Sequence, residues 1–173
     1  MIPRLTSDEQ IEWYKRWLDL ETRGEAICSS RALHTKDDAQ RAKWNLLAEL
    51  ERSTKGAVLE YLRANGIVAV ERAGERRAGE KVAEQTATEG WLELMAELRP
   101  RVVDYIEELH ELVTKTTTSP QRMVALQLCE HEEAWLAFVD RELAGDSGSS
   151  LDPVRSHLNK WRDRASLPTG GPG

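Results

Sequence analysis

Apolar positions recur every three to four residues over four long stretches of the chain, the spacing of helices that each bury one face. Residues 119–144 show it most clearly. At about 100° per residue, Val124, Leu128, Trp135, Phe138, Val139 and Leu143 share one arc. His131 and Glu132 fall inside that arc, while Glu130 and Glu133 point away. Ser119 suits the N-cap, Pro120 the first turn and Gly145 the C-terminal stop. Burying a carboxylate without a partner costs several kcal/mol. An inward His131–Glu132 pair therefore demands polar groups opposite it, a metal, or an open cavity.

The other stretches show what lies opposite. A Ser7/Gln10 capping box opens a first helix over about residues 7–33, with Tyr14, Trp17, Gly24, Cys28 and Ala32 near one face. Glu21 and Glu25, one turn apart, share that face and would raise each other's pKa unless a cation separates them. Trp13 and Leu20 widen the arc, so a solvated pair fits the pattern equally well. Thr35 and Asp38 cap a second helix over about 36–65, ending at Asn65-Gly66. Its inner face reads Leu46, Leu47, Leu50, Thr54, Ala57, Val58 and Tyr61, with Glu51 on the margin. Thr54, Gly56 and Ala57 are small and leave room at mid-helix.

Residues 66–86 break the pattern with three glycines and dense charge, and IVAV at 67–70 suits a short extended segment. This reads as a connection long enough to run the length of a bundle. Thr86 and Glu89 then box the start of a third helix to about Thr116, which Pro100 should kink. Its Glu107-x-x-His110 lies off the apolar stripe and reads as surface. After a linker at 145–150, a short helix over 152–165 puts Val154, His157, Leu158 and Trp161 on one face, expected to dock on the bundle or on a second subunit of a homodimer. Residues 167–173 read as a disordered tail, leaving one helical domain over 1–166.

Composition narrows the function. A chain of 173 residues, 40% hydrophobic and 31% charged, suffices for one domain with a sizeable core. A net charge of −6 and a pI near 5.4 argue against a nucleic-acid partner, since only ERAGERRAGEK concentrates basic residues. There is no membrane-length apolar run, and MIPRLTSDEQ lacks the apolar core of a signal peptide, so a cytoplasmic protein is expected. Cys28 and Cys129 read as buried thiols in a reducing compartment. Six tryptophans against one phenylalanine can fill a core or line a pocket. No phosphate loop, nucleophile elbow or zinc-finger spacing occurs.

Four long helices, with short turns at 33–35 and 117–119 and one long crossover between the second and third, resemble the ferritin-like four-helix bundle. The resemblance implies that the second and third helices run parallel. It also implies an iron or manganese pair held at mid-bundle by glutamates from all four helices and two histidines. Here Glu49-x-x-Arg52 stands where a histidine motif would be, and the third helix offers no inward carboxylate. The residues support one divalent ion better than two.

Counting from the turns puts Glu21, Glu51 and His131 at one level. The function expected is therefore a small helical enzyme with a small organic substrate in a mid-bundle pocket. His131, Glu132, Glu21 and Glu25 would be its acid–base groups, and Trp17, Trp135, Thr54 and Leu128 its lining. Alternatively Glu21, Glu25, Glu51, His131 and Glu132 would hold iron or manganese for oxidoreductase chemistry. The competing expectation is an interaction or regulatory module whose polar groups form a satisfied network and whose Trp161 helix docks a partner. An open cavity beside His131 separates the two.

Overall fold

The computed structural model describes residues 7–165, and every regular element among them is helical. In chain order these are α1 (Ser7–His34), α2 (Asp38–Ala64), α3 (Ala73–Gln85), α4 (Trp91–Lys115), α5 (Ser119–Leu143) and α6 (Asp152–Ala165). The tail expected at 167–173 lies outside the described residues.

Three helix starts fall beside the residues the sequence favoured. Asp37 caps α2, its carboxylate accepting from the Gln40 amide at 2.8 Å. Thr118 caps α5, and its own amide donates to the Gln121 side chain at 3.1 Å. The third expected helix begins at Trp91, because the Thr86 hydroxyl donates to the Val82 carbonyl and so closes α3. The larger correction is α3 itself, which occupies most of the expected connection. IVAV is not a strand, and Val68 and Val70 are exposed.

Contacts near the helix ends give the directions. The starts of α2 and α4 meet through Trp44 and Trp91, whose rings stand edge to face at 5.4 Å. Both reach the end of α5: Lys43 pairs with Glu142, and the Trp91 indole donates to Glu142 at 2.7 Å. At the other end, Tyr14 near the start of α1 donates to the Gln121 carbonyl near the start of α5 at 2.8 Å. Thus α2 and α4 run one way, and α1 and α5 run the other. The chain must return along the molecule between α2 and α4, and α3 makes that return by lying on α1. A Cβ added to Gly79 would stand 2.8 Å from that of Ala26, so the two helices approach as closely as glycine allows. Arg23–Glu75, Arg72–Asp19 and Lys55–Glu71 pin the segment in place.

The core has two apolar clusters. One joins Trp44, Leu47, Leu50, Met95, Phe138 and Val139 with Val154 and Leu158 of α6. The other joins Tyr14, Trp17, Val58, Leu62, Leu109 and Leu128. Positions 21, 51, 54, 131 and 132 fall between them. Cys28 and Cys129 are free buried thiols. Among the described residues no helix is long and apolar enough to cross a membrane.

Candidate functional site

Between the two apolar clusters, α1 supplies Glu21, α2 supplies Glu51 and Thr54, and α5 supplies His131 and Glu132. His131 is 1% exposed. Its Nε2 stands 3.6 Å from Glu51, 3.8 Å from Glu21 and 3.9 Å from Glu132. Its Nδ1 faces the Thr54 hydroxyl at 3.0 Å, which reaches the Leu50 carbonyl at 3.3 Å. Because that hydroxyl can donate to the carbonyl, it is free to accept from Nδ1–H. The arrangement favours the proton on Nδ1 and turns Nε2 toward the carboxylates.

Glu51 is held in turn by the Trp135 indole, which donates to its Oε1 at 2.7 Å. Its carboxylate lies over Gly24 of α1. A Cβ there would come within 2.7 Å of the Glu51 carboxyl carbon, so any side chain at position 24 would force the Glu51 carboxylate to move. Glu21 is less well served, and its Oε2 is buried without a hydrogen-bond partner.

Three carboxyl groups around one imidazole, all closed to solvent, cannot all be charged. Burial, with Glu51 and Glu132 nearby, raises Glu21 well above the usual carboxylate range despite the attraction of His131. Burial likewise raises Glu132 to about 8. Burial opposes the charge on His131, but Glu21 and Glu51 prevail and raise it to about 10. At neutral pH the cluster thus retains protons that exposed groups of the same kind would lose, shared among Glu21, His131 and Glu132. The Tyr105 phenol of α4 is also raised, by burial and then by Glu132.

Of the residues expected at the site, the fold brings together Glu21, Glu51, His131, Glu132, Thr54 and Trp135. Glu25 is elsewhere: it pairs with the buried Lys55 and, at 2.9 Å, with Arg52. Those cations come from α2, and a face argument made on α1 alone could not include them. Trp17, Trp135, Thr54 and Leu128, expected to line a pocket, are packed in the core instead. A groove of about 780 Å³ opens elsewhere, between α2, α5 and α6, lined by Arg52, Gly56, Met123, Gln127 and Trp161 among others. None of the expected site residues lines it.

His157 of α6 was missed as a neighbour of the cluster. Its ring stands edge to face with that of His131, 6.2 Å away. Burial and then the His131 charge push it down to about 3. The sequence signal was its place on the apolar face of α6. What that face covers depends on how α6 docks.

No protein-family model, curated protein or solved structure matches the chain.

Proposed function

We propose that this protein is a ferritin-like four-helix-bundle metalloprotein whose Glu21, Glu51, His131 and Glu132 hold one divalent transition-metal ion, iron or manganese. The observation that carries this reading is the convergence of ligand atoms in a closed core, one of them without a partner. Three carboxyl groups meet one imidazole and one indole donor, and Glu21 Oε2 is left buried and unpartnered. A buried polar atom without a partner costs about 1–3 kcal/mol. A cation there would relieve it.

The donor set fits. Ligand atoms of Glu21, His131 and Glu132 lie within 4.8 Å of one another, and carboxylates with one imidazole suit iron or manganese better than a soft ion. Such an ion would supply redox or Lewis-acid chemistry when bound. The chain's own residues do the preparing. Thr54 presents Nε2, Trp135 and Gly24 hold the Glu51 carboxylate, and closure of the core keeps water from the site. With His131 only 1% exposed, a reactant must be very small, which disfavours the organic substrate expected in an open mid-bundle pocket.

Closure also favours a second reading, an interaction module whose network specifies packing without chemistry. Metal content of protein purified without a histidine tag and supplied with iron or manganese separates the two. Stoichiometric metal that His131→Ala abolishes supports the metalloprotein. Protein that stays metal-free after supplementation supports the module and sinks the first reading.

A further inference from the structure

A different trio of side chains meets on the outer face where α4 packs on α5. His110 Nε2 stands 3.3 Å from Glu133 Oε1, and Cys129 Sγ lies 3.7 Å from the same oxygen. One atom from each residue lies within 4.8 Å of the others. In a tetrahedral zinc site, metal–nitrogen and metal–oxygen bonds of about 2.0–2.1 Å with a metal–sulfur bond of about 2.3 Å put nitrogen and oxygen about 3.4 Å apart, and sulfur and oxygen about 3.5 Å apart. The nitrogen–oxygen and sulfur–oxygen spacings are close to these values, and nitrogen and sulfur, within 4.8 Å of each other, would close on the ion.

We propose that His110, Cys129 and Glu133 form a second metal site, for zinc or a similarly borderline-soft divalent ion. Cys129 and Glu133 are one turn apart on α5, and His110 comes from α4, which the short turn at 116–118 ties to it. Cys129 is buried at the base of the site, while the His110 and Glu133 side chains are 60% and 50% exposed at its mouth. An ion can therefore enter from solvent, take three protein ligands and keep a water in the fourth position. The Cys129 S–H now donates to Glu133. As the metal–sulfur bond forms, that proton passes to solvent, and no oxidant or reductant is needed. Sulfur selects a softer ion here than the all-oxygen-and-nitrogen cluster inside. The two sites share no ligand, since Glu132 faces in and Glu133 faces out, and this proposal does not rest on the buried cluster holding metal.

The test is a titration of the reduced, untagged protein with cobalt(II), which gives a near-ultraviolet thiolate-to-cobalt absorption only when a cysteine binds it. The band should saturate at one equivalent, or at two where the buried cluster also takes cobalt, and zinc should remove it. Cys129→Ala should abolish it, and His110→Ala should weaken cobalt binding roughly tenfold or more. His110 is exposed, so the second variant is not at risk of misfolding. Glu21→Gln, which alters the buried cluster from α1 and is not among the charges acting on Cys129, should leave the band intact. The proposal is overturned by the absence of a band, by a band that survives Cys129→Ala and so belongs to Cys28, or by unchanged affinity in His110→Ala.

Discussion

Gly24 decides where the Glu51 carboxylate can lie, and through it how the buried cluster is assembled. Alanine at this position would favour the helix by about 0.5–1 kcal/mol. It would also drive Glu51 off the Trp135 indole, and a hydrogen bond to a charged group is worth about 1.5–3 kcal/mol. The second effect is larger, so metal-free Gly24→Ala should melt below the parent. Its affinity for manganese should fall about 10–100-fold, as when a residue that orients a ligand is lost. Equal manganese affinity by calorimetry would show that Gly24 does not position Glu51. Much of the cluster was legible at this scale, because a carboxylate or imidazole on an apolar arc announces itself. Glu25 was misread for the same reason: it shares the arc with Glu21, but its cations, Lys55 and Arg52, are on another helix. Gly24 looked like one more small residue on the inner face. The need for it appears only where α2 crosses.

At the level of elements, the long helices were readable from apolar spacing, and α3 was not. A helix is recognised by its buried stripe, and the positions α3 buries are Gly79 and Ala83, which carry almost no apolar surface. Its attachment is backbone proximity and ion pairs, neither of which has a periodicity. That makes Gly79→Ala a sharp test. Helix propensity alone predicts a gain of up to about 1 kcal/mol. Steric conflict with the Arg23 backbone and Ala26 predicts a loss of about 1–3 kcal/mol, the usual cost of overpacking. We expect the loss to prevail, seen as a lower melting temperature and faster hydrogen exchange in residues 73–85. A stabilised variant would mean that α3 sits more loosely on α1 than the close approach implies.

For the whole molecule, the buried titrating groups impose a stability optimum on the acid side of neutrality on the metal-free protein. Glu132 keeps its proton to about 8 when folded but loses it near 4.5 when unfolded, so stability falls as pH rises across that interval. His131 acts in the same sense from about 6.5 to about 10. His157 acts in the opposite sense. It stays neutral down to about 3 when folded, so stability falls as pH drops below about 6.5. Glu142, lowered by Lys43 and other donors against the effect of burial, adds to the acid loss below about 4.5. Between 4.5 and 6.5 the losses from Glu132 and from Glu21, which is raised in the same way, outweigh the opposing contribution of His157, and above 6.5 only losses remain. Thermal unfolding of chelator-treated protein should therefore show its highest midpoint at about pH 5, with a steep decline toward pH 9. Glu132→Gln should remove its part of the decline between about 4.5 and 8 and leave the acid loss below about 4.5 in place. Manganese should reverse the alkaline decline, because the ion competes with the protons on Glu21, Glu132 and His131, and its binding strengthens as they leave. A metal-bound midpoint that declines with pH as steeply as the metal-free one would place the ion away from this cluster.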